Sequence, residues 1–210
     1  MILLAGGDSF TWGNELPDCD ESRFSRLSWS ALLAEQYSLD YNCVAEGGAS
    51  NQTIARKVME AVDSRTKMVA VMWTFPVRHE LLLRRDHSEN LNKSYVNVSP
   101  WHLDDRYLRN YATSLLDLAS HEYHEQQSLL SIHALQNFLS KRDIPYVFSA
   151  ATTQVYDMLD KGTILAREIE SSWYRKGEGF YDWSKSKGYE LSSLGHPIAQ
   201  AHRDWIDGKI

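Results

Sequence analysis

The chain is poor in cysteine: Cys19 and Cys43 are the only two in 210 residues. That excludes a disulfide framework and any thiol cluster of zinc-finger spacing, and it suits a reduced compartment. Long hydrophobic runs are also missing. Nothing approaches the roughly 18 apolar residues of a membrane span, and the opening Met1-Ile2-Leu3-Leu4-Ala5 has neither the basic flank nor the length of a signal-peptide core. A soluble, cytoplasmic protein is the expectation. Basic residues are in deficit, with 22 Lys and Arg against 28 Asp and Glu and a formal net charge of -6. This argues against nucleic acid as a partner, because phosphate binding needs a basic face. The pair Arg84-Arg85, with Asp86 and Glu89 close behind, reads as a solvated loop. There is no internal repeat, low-complexity tract or linker, and a 43% hydrophobic content supports one domain over residues 1–210.

What is present is an alternation of short apolar runs with amphipathic segments. Strands are predicted at 1–5, 41–45 and 68–73, with helices at 23–37 and 51–62 between them. This βαβαβ order implies a parallel sheet covered on both faces. Ser22 or Ser25 is a candidate cap for the first helix and Ser50 for the second. From 76 to 100 the pattern dissolves into charge, Asn and Ser, including His79, His87 and Asn90, and reads as a polar insertion or long loop. Residues 104–142 carry helical spacing with Leu129, Ile132, Leu135 and Leu139 on one stripe, as one long helix or two successive ones. A strand at 144–150 and helical character over 153–172 follow. Gly177, Gly179 and Gly188 mark a loop-rich stretch before a last helix at 197–205, whose early proline suits a first turn.

Directly behind the first strand stands Gly7-Asp8-Ser9-Phe10. A serine on that turn lies at the carboxyl end of a strand, where open α/β sheets form crevices, and it is placed as a nucleophile. Leu4-Ala5-Gly6-Gly7-Asp8-Ser9-Phe10-Thr11-Trp12-Gly13 resembles the first block of the SGNH, or GDSL-type, hydrolases. The resemblance implies a three-layer α/β/α sandwich with a central, mostly parallel, flavodoxin-like sheet. It implies ester hydrolysis with Ser9 as nucleophile and oxyanion donor, and no metal or organic cofactor. After the second strand, Glu46-Gly47-Gly48-Ala49-Ser50-Asn51 matches the family's second block, with Gly48 offering its N–H to the oxyanion. Near the C-terminus, Gly195-His196-Pro197 is similar to the family's His-Pro turn, which makes His196 the base.

Two family positions are replaced. Where Gly-x-Asn-Asp is usual, this chain runs Trp73-Thr74-Phe75-Pro76-Val77-Arg78, so Thr74 becomes a candidate oxyanion donor and Arg78 a candidate contact to the acyl oxygen or a substrate carboxylate. Asp8 and Asn51 are further candidate contacts. The aspartate expected three residues before the histidine is Ser193, which leaves Ser193, Glu190 or Asp182 as candidates to orient His196.

Two other readings compete. His121-Glu122-Tyr123-His124-Glu125 invites a metal, yet its histidines are three apart where the zinc motif has four, and a polar helix face explains them better. A glycan- or partner-binding module would use aromatic residues such as Trp101, Trp173, Tyr174, Tyr181 and Trp183, which more often complete a core. For the enzyme, small polar esters are the expected substrates, including O-acetyl groups of a carbohydrate.

Overall fold

The computed structural model describes residues 1–20, 22–83, 94–170 and 177–209. The strands among them are β1 (Ile2–Gly6), β2 (Asp40–Cys43), β3 (Thr66–Trp73), β4 (His79–Leu82), β5 (Tyr95–Val98) and β6 (Tyr146–Ala150). The helices are α1 (Ser9–Trp12), α2 (Trp29–Gln36), α3 (Asn51–Ala61), α4 (Arg109–Leu118), α5 (His121–Ser140), α6 (Thr153–Asp160), α7 (Ile164–Arg167), α8 (Phe180–Ser186) and α9 (Ala199–Lys209).

Four strands form one parallel sheet in the order β2-β1-β3-β6, with Leu3 opposite both Tyr41 and Met68, and Val71 opposite Phe148. The central strands are apolar from Ile2 to Gly6 and from Met68 to Trp73 because both faces are covered there. Along β3, Val69, Val71 and Trp73 pack with α3, α5 and α6, while Met68, Ala70 and Met72 pack with α2, α8 and α9. Val69 through Trp73 are fully buried, and burial of each such valine contributes about 1.5–3 kcal/mol. The result is the three-layer α/β/α sandwich expected. No helix among the described residues is long and apolar enough to cross a membrane.

Several elements differ from the sequence expectation. The helix expected over 23–37 begins only at Trp29, because the Asp18 carboxylate binds the Ser25 hydroxyl and, at 2.7 Å, the Arg26 N–H, holding Ser25 and Arg26 outside the helix. Ser22 instead donates to Asp20 at 2.7 Å, and the first N–H of α2 is taken by Nδ1 of buried His202 at 3.1 Å. Ser50 does cap α3, accepting from Thr53 N–H at 3.2 Å. The region read as a long loop contains the antiparallel β4–β5 pair, with His79 opposite Val98, and Val98, Leu108 and Ala112 form a small separate apolar cluster. Residues 104–142 split into two helices at Ser120, which caps α5 through Tyr123 N–H. The stretch marked by Gly177, Gly179 and Gly188 contains α8. Arg84, Arg85, Asp86, His87, Glu89 and Asn90, together with Trp173 and Tyr174, lie outside the described residues.

Candidate active site

The carboxyl ends of β1, β2 and β3 set the site. After β1 the chain turns through Gly7, where an added Cβ would lie 2.0 Å from Thr11 Oγ1 and 3.3 Å from the Met72 carbonyl, so only glycine fits. The next residue, Asp8, is completely buried and caps α1 by accepting the Phe10 N–H at 3.0 Å. This lifts Ser9 to the head of α1, with a residue exposure of 8%.

The ladder continues past β2: Val44 N–H donates to the Ala5 carbonyl at 2.9 Å and Glu46 N–H to the Gly7 carbonyl at 3.3 Å. The Gly47-Gly48 turn is therefore fastened beside the Ser9 turn. Gly48 has φ +75° with open space where a Cβ would stand. Among the described residues, neither the Ser9 N–H nor the Gly48 N–H has an acceptor. Two backbone donors at adjacent strand ends are thus unspent.

His196 approaches from the opposite side of the chain order. Its ring stands edge-on to Phe10, with centroids 5.7 Å apart at 84°, so it lies against the residue that follows Ser9. Its Nδ1 is 2.6 Å from Glu15 Oε2. Glu15 follows α1 and has φ +64°, unusual for a residue with a side chain. Its carboxylate also accepts from the hydroxyls of Ser192 and, at 2.8 Å, Ser193, and from Leu194 N–H at 3.2 Å. Burial raises its pKa, but the hydrogen bonds from Ser192, His196 and Ser193, with the charge of His196, outweigh it and lower the value to about 2. Glu15 is therefore ionised and accepts the Nδ1–H of His196, the arrangement that makes Nε2 the lone-pair nitrogen whenever the ring gives up its second proton. Ser9 Oγ makes no hydrogen bond among the described residues, to His196 or to any other group.

No motif marks Glu15. Of the residues expected to orient His196, Ser193 instead donates to Glu15 and Asp182 holds Thr153 N–H at 2.7 Å, while Glu190 is exposed.

The other candidate contacts form a buried scaffold beneath the turn. Thr74 donates its hydroxyl to Asp8 at 2.6 Å and its N–H to Asn51 Oδ1 at 2.8 Å, so both of its donors are spent within the protein. Asn51 Nδ2 donates in turn to the Thr74 carbonyl at 3.1 Å and to Ser128 Oγ at 2.9 Å. Arg78 Nη1 lies 3.0 Å from Asp8 Oδ2 and 2.8 Å from Thr74 Oγ1. These side chains tie β1, α3 and β3 together directly under Ser9.

A cavity of about 460 Å³ flanks the turn, lined by Trp12, Asn14, Glu15, Cys19, Asp20, Glu46 and Gly47. No group of three or more metal-ligating side chains occurs among the described residues. In the segment considered for a metal, His121 is exposed, Glu125 pairs with Lys161 at 2.6 Å, and His124 Nδ1 bonds His79 Nε2 at 2.5 Å. Trp183 packs in the core against Phe180, Tyr189 and Trp205, and Tyr181 stacks on Phe10 at 6.1 Å. Neither metal ligation nor sugar stacking is needed to explain these residues.

No protein-family model matches the chain, and no curated protein matches it in sequence. Solved structures match its fold. A protein assigned as a GDSL-like lipase from Parabacteroides merdae is 13% identical over 99% of this chain and 95% of its own, with a TM-score of 0.50. A lipolytic protein of the G-D-S-L family from Desulfitobacterium hafniense is 10% identical over 98% and 95%, at 0.47. An acetyl xylan esterase from the rumen bacterium Butyrivibrio proteoclasticus is 12% identical at 0.46, with 98% of this chain covering 62% of that one. The likeness to the Parabacteroides protein shows that this chain has the fold of that GDSL-like lipase, the fold implied by Gly7-Asp8-Ser9.

Proposed function

We propose that the protein is an SGNH-type serine hydrolase that cleaves carboxylic esters. Ser9 Oγ attacks the acyl carbon while His196 Nε2 takes its proton. The oxyanion that forms accepts hydrogen bonds from the N–H groups of Ser9 and Gly48. The tetrahedral species collapses, the bond to the alcohol oxygen breaks, and His196 returns the proton to the leaving alcohol. Water then attacks the acyl carbon, the bond to Ser9 Oγ breaks to release the carboxylic acid, and the water's proton passes through His196 to Ser9. No step needs a metal or organic cofactor.

The observation that carries this reading is the pair of unspent N–H groups, on Ser9 and Gly48, at adjacent strand ends. A nucleophile next to two donors aimed at no protein atom is arranged for charge that arrives only with a substrate. The flanking cavity, with the Trp12 ring and the carboxylates of Asp20 and Glu46, supports a polar alcohol portion, and O-acetyl groups of a carbohydrate are the favoured class. In the test, purified wild type, Ser9→Ala and His196→Ala are assayed with a short-chain aryl ester. Hydrolysis is expected from wild type and lost in both variants; unchanged hydrolysis by Ser9→Ala overturns the proposal.

One observation favours a second reading, a domain that binds esters or glycans without turnover: Ser9 Oγ has no hydrogen bond to His196. Catalytic hydrogen bonds often tighten only with substrate in place, so reaction with a serine-directed probe separates the two.

A further inference from the structure

We infer that Glu15 is the acid of the site, a positioning residue that fixes His196 for proton transfer with Ser9. The inference rests on the reading of Ser9 and His196 as nucleophile and base. It supplies the carboxylate whose usual place, three residues before the histidine, is occupied by Ser193.

The geometry has three parts. The Glu15 carboxylate meets His196 Nδ1 at 2.6 Å, the nitrogen remote from the one that must face the nucleophile. Next, the carboxylate is itself immobilised, since Ser192, Ser193 and the Leu194 N–H donate to it. The Ser192 hydroxyl also accepts the His196 N–H at 2.9 Å, so the histidine turn and the acid are locked as one unit. Last, Glu15 is held in a left-handed conformation at φ +64°, a strained backbone state that persists where surrounding structure requires it. The backbone turn that precedes Glu15 explains how. Gly13 and Asn14 both donate to the Ser9 carbonyl, at 2.8 and 3.0 Å, so the chain turns back immediately after the nucleophile. Nucleophile and acid therefore sit six residues apart on one turn, and only the base arrives from the far end of the sequence.

An acid in this position has two physical consequences. It keeps the proton of neutral His196 on Nδ1, leaving Nε2 free to accept from Ser9. It also balances the imidazolium formed when Ser9 gives up its proton. Glu15 faces no other cation among the groups that contact it, so its charge is directed to His196.

The experiment compares wild type, Glu15→Gln, Glu15→Ala and Glu15→Asp with a short-chain aryl ester. Glu15→Gln is expected to lower kcat by on the order of 10⁴, the loss seen when the acid of a triad loses its charge, with KM changed less than about threefold. Added formate or acetate is expected to restore part of the Glu15→Ala activity. A residue that merely held the loop together would give no such rescue. A kcat for Glu15→Gln equal to wild type, or equal losses in Glu15→Ala with and without carboxylate, overturns the inference. A readout independent of turnover is the strongly deshielded, nitrogen-coupled Nδ1 proton of His196 in the NMR spectrum. It is expected in wild type and Ser9→Ala and lost in Glu15→Gln. Its presence in a protein that hydrolyses no ester would sink the esterase reading and leave the Glu15–His196 pair standing; its absence from wild type would sink the pair.

Discussion

Replacing Arg78 by methionine removes one partner of a buried ion pair under the nucleophile. Asp8 has no exposure and Arg78 only 8%. Arg78 Nη1 lies 3.0 Å from Asp8 Oδ2, while Asp8 keeps two other donors, Phe10 N–H at 3.0 Å and the Thr74 hydroxyl at 2.6 Å. Leaving a buried charge without its counter-ion costs about 3–5 kcal/mol. The two remaining donors put Arg78→Met at the lower end, about 3 kcal/mol. For a chain of this size each kcal/mol shifts Tm by roughly 2–4 °C, so a fall of about 6–12 °C is expected in thermal unfolding followed by circular dichroism. The double variant Asp8→Asn/Arg78→Met should lose less than the sum of the single variants, because the orphaned charge is gone. An Arg78→Met protein melting within about 2 °C of wild type would refute the argument that this pair anchors the Ser9 turn.

Two further expectations concern stability and the backbone at the site. Burial, with the neighbouring charge of His124, lowers the pKa of His79 to about 4, and burial, with the charge of His196, lowers that of His202 to about 3 against the opposing hydrogen bond to the Pro197 backbone. Unfolded histidine binds its proton near pH 6.5, so the stability is fully present above that value and is lost as pH falls toward 4 and 3. Near pH 5 the loss is about 2 kcal/mol for each group. Urea unfolding from pH 7.5 to 4.5 should show this slope, and a His79→Gln/His202→Gln protein with an unchanged slope contradicts it. Gly7→Ala should disrupt the Ser9 turn and reduce the folded yield sharply, whereas Gly48→Ala, with open space around its Cβ, should cost only about 1–2 kcal/mol from its left-handed backbone. Equal stability losses in the two would contradict the close contact drawn at Gly7.

The sheet was legible in the sequence because buried parallel strands are continuous apolar runs, as at Val69 to Trp73. Ser9, Gly48 and His196, the proposed nucleophile, oxyanion donor and base, stand in motifs that fix a chain turn as well as a residue. Glu15 was not, since the contact that gives it a role spans 181 positions and depends on two loops meeting. Asn51, Thr74 and Arg78 were recognisable as polar residues near the strand ends, but sequence does not say which way a side chain points. Here they turn inward to Asp8 and to one another. The late start of α2 has the same origin: Asp18 captures the serine and the N–H expected to open it, and His202 closes its first turn from the far end of the chain. The β4–β5 pair was hidden by polar composition.

The most direct test of Ser9 as an activated nucleophile is intact-protein and peptide mass spectrometry after reaction with a fluorophosphonate. One adduct is expected, on Ser9, in wild type, and none in Ser9→Ala or in protein unfolded before exposure. Wild type that remains unmodified while a known serine hydrolase in the same tube is labelled, or that carries the adduct on another residue, would contradict it.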